Sequence, residues 1–264
     1  MTFPDGMYIV SGMADIRQIS TIFFDLDGTL LPIDEKRFMQ EYLVRFLEKC
    51  RKEQIDPAQA QQALMAGVHA MRSEDGGGAQ SNKDRFWSTF FAHLSVEKEE
   101  SLIAAFNRFY HEEFTELGTL IEPFPLARKI VDTLKEKGYT LVLATSPLFP
   151  RAGTLERLSW IGLSENDFEF ITTYEDYSYT KPHIGYYDQV FSDAQVDPNE
   201  VLMVGNNVVE DGAIRALGAQ VIFVTDYLIN PLEEDISSHP CYTLDEFYDV
   251  CRKFPRCEQA GGAR

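Results

Sequence analysis

The stretch that decides the fold is Ile19-Ser20-Thr21-Ile22-Phe23-Phe24-Asp25-Leu26-Asp27-Gly28-Thr29-Leu30. Its first half is a short run of β-branched and aromatic residues, which is typical of a buried strand. The run ends at two acids, Asp25 and Asp27, and Gly28 permits a sharp turn directly after them. The sequence therefore predicts a buried strand that brings two carboxylates to one edge of a sheet.

Beyond residue 121 the pattern alternates between short apolar runs and amphipathic stretches. It predicts strands at 139–145, 168–173, 201–205 and 220–225, and helices at 127–137, 151–160, 183–194, 209–217 and 244–253. Such alternation is typical of a parallel, doubly wound sheet with helices on both faces. We therefore predict an α/β fold with a Rossmann-like core.

Residues 34–120 have a different character, because apolar residues recur there at helical spacing and no strand pattern is found. Asp56-Pro57 is typical of a helix start, with the proline at the first helical position. The aromatics at 86–91 predict a helical core, and the glycines at 76–78 predict a connector or a loop that reaches the site. We expect a core at 1–33 and 121–264 and an inserted all-helical domain at 34–120.

Composition and charge exclude several classes of function. The 264 residues are 44% hydrophobic and 25% charged, as in a globular protein. Lys and Arg number 24 against 42 Asp and Glu, and the net charge of −18 opposes binding to nucleic-acid backbones or anionic lipid. No apolar run has membrane-spanning length, and residues 1–20 do not have the pattern of a signal peptide. We expect a cytoplasmic protein whose translation could start at Met7 or Met13.

The four cysteines, Cys50, Cys241, Cys251 and Cys257, form no CxxC pair and have no histidine at zinc spacing. We therefore expect reduced, mostly structural thiols.

Polar residues cluster where the predicted strands end, and ligands bind at the carboxyl ends of parallel strands. Besides the two acids of the first strand, these are Thr145-Ser146 and Asn206-Asn207 with Glu210-Asp211, and Lys181 precedes a helix leading to the same edge. Phosphoryl transfer through an aspartate needs such a set. One carboxylate attacks phosphorus, a second carries the proton, and a cation and a hydroxyl hold the phosphoryl oxygens.

These motifs resemble the haloacid dehalogenase-like (HAD) superfamily of phosphohydrolases. Asp25-Leu26-Asp27-Gly28-Thr29-Leu30 matches the first motif at every defining position, Thr145 fits the second, Lys181-Pro182 the third, and the segment from Gly205 to Asp211 the fourth. The helical insertion falls between the first and second motifs, where that family places an α-helical cap. The resemblance covers residues 17–33 and about 121–230.

Carried over residue by residue, the resemblance implies a catalytic set of Asp25, Asp27, Thr145 and Lys181. Asp25 is the implied nucleophile and Mg²⁺ ligand. Asp27 is the implied general acid and base, and its backbone carbonyl is a further ligand. Thr145, with Ser146 beside it, and Lys181 are implied to hold the phosphoryl group. Asp211 and the residue at position 206 complete the implied metal site.

The fourth motif departs from the family pattern, because the positions that usually carry its first acid are Asn206 and Asn207. An amide oxygen can bind Mg²⁺ but contributes no negative charge. We therefore expect weaker metal binding, or a larger share for Glu210 and Asp211.

The sequence favours a Mg²⁺-dependent phosphatase acting on a small phosphorylated metabolite, and it leaves alternatives open. A 2-haloacid dehalogenase would not need Asp27, and a phosphonate hydrolase would need a lysine in the cap, for which Lys83 is the candidate. A sugar-phosphate mutase has the same core. A weakly active binding or regulatory homologue is supported by the two asparagines.

His183 is predicted to cap a helix, and Lys83 and Arg85 are predicted at a solvated helix start or beside the substrate. The oligomeric state cannot be predicted from the sequence.

Overall fold

The structure is a computed structural model, and it describes residues 16–73, 78–94, 99–122 and 124–257. The alternative start sites and Gly76-Gly77 lie outside these residues. The sheet consists of five parallel strands: β1 (Thr21–Phe24), β2 (Thr140–Leu143), β3 (Val201–Gly205), β4 (Gln220–Val224) and β5 (Cys241–Tyr242). Their spatial order is β2-β1-β3-β4-β5. The predicted parallel α/β core is confirmed.

Among the described residues, the insertion after β1 contains four helices: α1 (Glu35–Lys52), α2 (Pro57–Arg72), α3 (Asn82–Ala92) and α4 (Glu99–His111). A 3-10 segment, Glu113–Leu120, follows them. The core helices are α5 (Leu126–Glu136), α6 (Arg151–Trp160), α7 (Ile184–Ala194) and α8 (Leu244–Lys253).

Three details differ from the expectation. Residues 168–173 form a single bridge, between Leu143 and Ile171, and three backbone hydrogen bonds join this segment to the outer edge of β2. The helix predicted at 209–217 is a 3-10 segment, Asp211–Leu217. The strand β5 was not predicted, because two residues are too few to show a periodic pattern.

Burial on both faces of the sheet explains why the sequence of β1 is an unbroken apolar run. Ile22 and Phe24 belong to one buried cluster and Phe23 to another, so both faces of the strand are covered. Phe24 lies opposite Leu143 of β2 and Val204 of β3. The strands therefore end together, and Asp25, Thr145 and Asn206 follow at the same edge of the sheet.

The helices of the insertion pack through aromatic residues, which belong to the same buried cluster as Ile22 and Phe24 of β1. Phe46 and Phe106 stack with centroids 4.9 Å apart, and the predicted core aromatics are buried: Phe86, Trp87, Phe90 and Phe91. Asp56 caps α2 by accepting hydrogen bonds from the backbone N–H of Ala58 and of Gln59, as its Asp-Pro sequence predicts.

The start of α3 ties the insertion to the core. The backbone N–H of Asn82 donates to the Tyr177 carbonyl at 2.7 Å, and that of Lys83 to the Tyr174 carbonyl at 2.8 Å. The buried Arg85 donates to the Ser178 carbonyl at 2.9 Å. Arg85 therefore serves packing between α3 and the core.

The four cysteines are free. Burial raises the pKa of Cys50 to about 12. Within the described ranges, no helix combines the length and hydropathy needed to span a membrane.

Candidate active site

A buried lysine joins two of the predicted site carboxylates. Lys181 Nζ donates to Asp25 Oδ1 at 2.9 Å and to Asp211 Oδ1 at 2.6 Å. Burial opposes the charge on Lys181, but Asp211 and Asp25 outweigh it and hold the lysine pKa well above its ordinary value. A permanently charged lysine thus fixes one oxygen of Asp25 and leaves Oδ2 for other chemistry.

Asp27 has a cationic partner that sequence reasoning missed. Arg157, on α6, forms an ion pair with Asp27 Oδ2, and its side chain is 1% exposed. It also donates to the Gly153 carbonyl at 3.2 Å and lies 4.4 Å above the centroid of the Phe149 ring. Burial raises the pKa of Asp27, and Arg157 opposes this without cancelling it.

The signal for Arg157 was present in the sequence. Gly153, Thr154, Arg157 and Leu158 form the buried face of α6, so the arginine occupies a position where helical periodicity expects an apolar residue. A charge at such a position needs a partner, and the strand-end acids are candidates.

Two polar atoms of the site are buried without a hydrogen-bond partner among the described residues, namely Asp27 Oδ1 and Ser146 Oγ. Buried polar groups are normally satisfied by protein or by ordered water, so these two atoms are available to bind water or a ligand in the cavity. The loop that carries Ser146 is fixed, because the Thr145 carbonyl accepts bonds from Thr172 Oγ1 at 2.5 Å and Tyr186 Oη at 3.1 Å.

The two asparagines of the fourth motif have different surroundings. Asn206 Oδ1 accepts from Thr29 Oγ1 at 3.3 Å, and the same hydroxyl lies 3.5 Å from Asp25 Oδ2. Asn207 Oδ1 instead accepts from the backbone N–H groups of Val209 and Glu210. Asn206 therefore lies beside the predicted nucleophile, whereas Asn207 stabilises the turn that follows β3.

The geometry around Asn206 depends on a glycine. Gly28 has φ +75° and a Cβ at this position would overlap the Asn206 amide. The first motif needs glycine here both for the left-handed turn and for the close approach of the fourth motif.

The donor set fits Mg²⁺. The described residues contain no group of three or more His, Cys, Asp or Glu arranged to hold a metal ion. Mg²⁺, however, is commonly bound by one or two carboxylates together with waters and substrate phosphate. Asp25 Oδ2 and Asn206 Oδ1 flank the Thr29 hydroxyl, and the Asp27 carbonyl follows the same strand. Both Asp211 oxygens are already bonded, to Lys181 and to the Asn207 N–H.

The charges of the centre also favour a dication. Three carboxylates, of Asp25, Asp27 and Asp211, face two cations, of Lys181 and Arg157. The formal sum, −3 plus +2, is −1. Such a centre repels a phosphate dianion unless a cation offsets it.

A cavity of about 490 Å³ lies between the insertion and this edge of the sheet. Five of the predicted site residues line it: Asp25, Asp27, Thr145, Ser146 and Asp211. Lys181 and Asn206 are buried behind the carboxylates that they contact. The structure therefore places every predicted site residue either on the cavity wall or directly behind it.

Other predicted candidates lie outside the site. His183 caps α7, because its Nδ1 accepts from the Gly185 N–H at 2.9 Å. Lys83 is not among the described residues that line the cavity, so it does not supply the lysine that a phosphonate hydrolase would need; the insertion lysine on that wall is Lys36.

Comparison with known proteins gives consistent results. The family described as haloacid dehalogenase-like hydrolase matches residues 22–224. The pyrophosphatase PpaX of Bacillus mycoides (strain KBAB4) is 23% identical over 236 residues, which cover 88% of this chain and 95% of that protein.

Two solved structures share the fold at low sequence identity. A HAD phosphatase from Thermococcus onnurineus is 19% identical, with a TM-score of 0.55 over 90% of this chain and 100% of that one. The L-2-haloacid dehalogenase PA0810 is 16% identical, with a TM-score of 0.52 over 88% of this chain and 99% of that one. Fold similarity alone thus does not separate phosphatase from dehalogenase chemistry.

Proposed function

The chain belongs to the haloacid dehalogenase-like hydrolase family, and on that premise we propose that it is a Mg²⁺-dependent phosphatase that cleaves a phosphate monoester through Asp25. One observation carries the proposal. A carboxylate held by a buried lysine lines a cavity together with a second acid, Asp27, whose Oδ1 has no partner among the described residues.

In the first step, Asp25 attacks phosphorus while the bond from phosphorus to the leaving oxygen breaks, and an acyl phosphate forms on Asp25. Asp27 gives its proton to the leaving oxygen, which departs as a neutral alcohol. In the second step, Asp27 takes a proton from water as that water attacks phosphorus, and inorganic phosphate is released with Asp25 restored.

The surrounding side chains orient Asp25 and bind the phosphoryl group. Lys181 remains charged next to Asp25 throughout. The Ser146 hydroxyl is a donor for a phosphoryl oxygen, and Thr145 lies beside it on the cavity wall. A bound Mg²⁺ would supply the positive charge that lets a carboxylate and a phosphate dianion approach each other. Asp25, Asn206 and the Asp27 carbonyl would hold it, supported by Asp211.

The second acid favours this chemistry over dehalogenation. Attack on a carbon–halogen bond expels a halide, which needs no proton. In this protein, the buried Arg157 forms an ion pair with Asp27 and fixes its orientation.

The test is hydrolysis of p-nitrophenyl phosphate with MgCl₂, before and after EDTA. We expect turnover that EDTA abolishes and added Mg²⁺ restores, and that Asp25→Asn abolishes. Asp188→Asn makes the same change at an exposed position of α7 and should leave the rate unchanged. Chloride release from 2-chloropropionate without Mg²⁺ would instead identify a dehalogenase.

A further inference from the structure

The cavity that contains the catalytic acids has an apolar far side. On the insertion side its wall is built from residues of α1 to α4, among them Phe46, Leu64, Phe86, Trp87 and Phe106. The volume of about 490 Å³ is roughly three times that of an apolar cavity of about 150 Å³ that holds one benzene molecule. Because protein interiors are close-packed, a space of this size beside a reactive centre is a binding volume.

The polar atoms deep in this wall are neutral. Tyr42 Oη and Tyr110 Oη lie 3.0 Å apart, and Trp87 Nε1 donates to Tyr174 Oη at 3.3 Å. Two hydroxyls that share one hydrogen bond leave one O–H proton for a ligand oxygen. Such groups suit an uncharged acceptor and offer nothing to neutralise a second phosphate.

The charged residues at the rim do not favour an anionic leaving group either. Among the described residues, the cations that the insertion contributes to the wall are Lys36 and Arg72. Lys36 is exposed, and Arg72 is ion-paired with Glu210 at 3.4 Å. Glu35 adds a further carboxylate to the same wall. The rim thus has no surplus positive charge.

The opening of the cavity is apolar as well. Met39 and Met65 line the cavity, and they are 43% and 59% exposed. Methionine is flexible and polarisable, and it adapts to ligands of varied shape. Apolar lining therefore continues from the reacting centre to solvent.

We propose that the alcohol half of the substrate is bulky, uncharged and largely apolar, such as a long-chain or aromatic alcohol. A sugar, a nucleotide or a second phosphate does not fit this wall. The inference rests on the proposed phosphatase function, because it takes the phosphate end of the substrate to lie at Asp25.

The test compares kcat/KM for ethyl, butyl, hexyl and octyl phosphate, whose leaving oxygens have closely similar basicity. We expect a rise of about fourfold per methylene until the cavity is filled, the factor that corresponds to about 0.8 kcal/mol per buried CH₂. Glucose 6-phosphate and pyrophosphate should fall at least about a hundredfold below octyl phosphate. A flat alkyl series, or a preference for either polar substrate, would overturn the inference.

A pair of variants tests whether the apolar wall causes the rise in kcat/KM with alkyl chain length. Val68→Lys puts a cation on the wall from α2, and it should remove most of the gain from butyl to octyl phosphate. Gln62→Lys makes the same charge change at an exposed position of α2 outside the wall, and it should preserve the gain. The unfolding midpoint shows whether Val68→Lys folds. If it does not fold, the alkyl phosphate series on the unaltered protein is the test of the inference.

Calorimetry separates failure of this inference from failure of the phosphatase proposal. Asp25→Asn protein is titrated with octyl phosphate and with ethyl phosphate, with Mg²⁺ present. Octyl phosphate bound at least tenfold more tightly, with no turnover in the unaltered protein, would support the apolar site and refute the phosphatase. Equal affinity for the two esters would refute the apolar site whatever the turnover.

Discussion

Replacing Arg157 by methionine removes the buried cation that holds Asp27, while keeping a long apolar side chain against Phe149. The native side chain is 1% exposed and also donates to the Gly153 carbonyl and to Thr154 Oγ1. The question for the variant is whether this ion pair serves catalysis or only packing.

The stability cost follows from what the change leaves behind. Breaking a buried ion pair from one side costs about 3–5 kcal/mol when the remaining charge stays buried. Asp27 is 18% exposed at its side chain, and burial already raises its pKa, so it can take up a proton instead of remaining a buried charge. We therefore expect a loss of about 2–3 kcal/mol, near the value of a hydrogen bond to a charged group. The variant should remain folded at 25 °C.

The catalytic effect depends on the leaving group. A general acid contributes about 10²–10⁴-fold, and this contribution matters most when the leaving oxygen is basic. Without Arg157 the protonated Asp27 carboxyl is no longer held in one orientation towards the leaving oxygen. We therefore expect kcat/KM for hexyl phosphate to fall about a hundredfold, and kcat/KM for p-nitrophenyl phosphate to fall less than about tenfold. The ratio kcat/KM is the informative quantity, because it reports the steps up to acyl phosphate formation and excludes the later reaction with water.

Two further variants serve as controls. Arg151→Met makes the same change on the same helix at an exposed residue paired with Glu165, and it should alter neither substrate. Arg157→Lys keeps the charge without the planar fork and should recover part of the hexyl phosphate rate. An equal loss on both substrates would show that Arg157 acts through folding alone, and unchanged hexyl phosphate turnover would show that Asp27 does not need it.

Three other changes give distinct outcomes. Lys181→Met leaves Asp25 and Asp211 buried without their cation, so urea denaturation should show a loss of about 3–5 kcal/mol and turnover should vanish. Asn206→Asp adds a negative charge beside Asp25, so the half-saturating Mg²⁺ concentration should fall roughly tenfold, whereas Asn207→Asp should leave it unchanged. The Asn206→Asp variant also loses the bond from the Asn206 amide to the Tyr227 carbonyl, which should cost about 1 kcal/mol in urea denaturation. Burial opposes the charge of Asp167, but bonds from Arg128 and Ser164 outweigh it and hold the Asp167 pKa well below its usual range. The unfolded pKa is higher, so this contribution is complete above about pH 5 and is lost as the pH falls below about 4. Urea denaturation should therefore show Asp167→Asn destabilised by about 2 kcal/mol at pH 7, with the difference shrinking at acid pH.

The predicted core could be inferred from the sequence because β1, β2, β3 and β4 each lie in an apolar run that is followed by a polar residue. The run before Asp25 is apolar throughout because both faces of β1 are buried. Its position between two other strands is also what aligns the strand ends at the site. The unbroken apolar run thus indicated the strand, and the acids that follow it indicated where the site lies.

The same reasoning did not predict the role of Arg157 or the cavity wall. Whether an arginine on α6 meets an acid that precedes it by 130 residues depends on how helix and sheet pack, which no local pattern encodes. The aromatics of the insertion were predicted as its core, and they are buried. That Phe86 and Trp87 also border a cavity open to the catalytic acids follows only from the packing of the helices around them.

The two asparagines of the fourth motif differ in the groups that they contact. Asn207 is committed to the turn after β3, so the missing charge concerns Asn206 alone. Three carboxylates face two cations, Lys181 and Arg157, so the centre has a formal net charge of −1 before a substrate binds. A bound phosphate dianion would then supply more of the negative charge that attracts Mg²⁺ than the protein does. We therefore expect Mg²⁺ binding to depend on the substrate, and this dependence should weaken when Asn206→Asp adds a fixed charge.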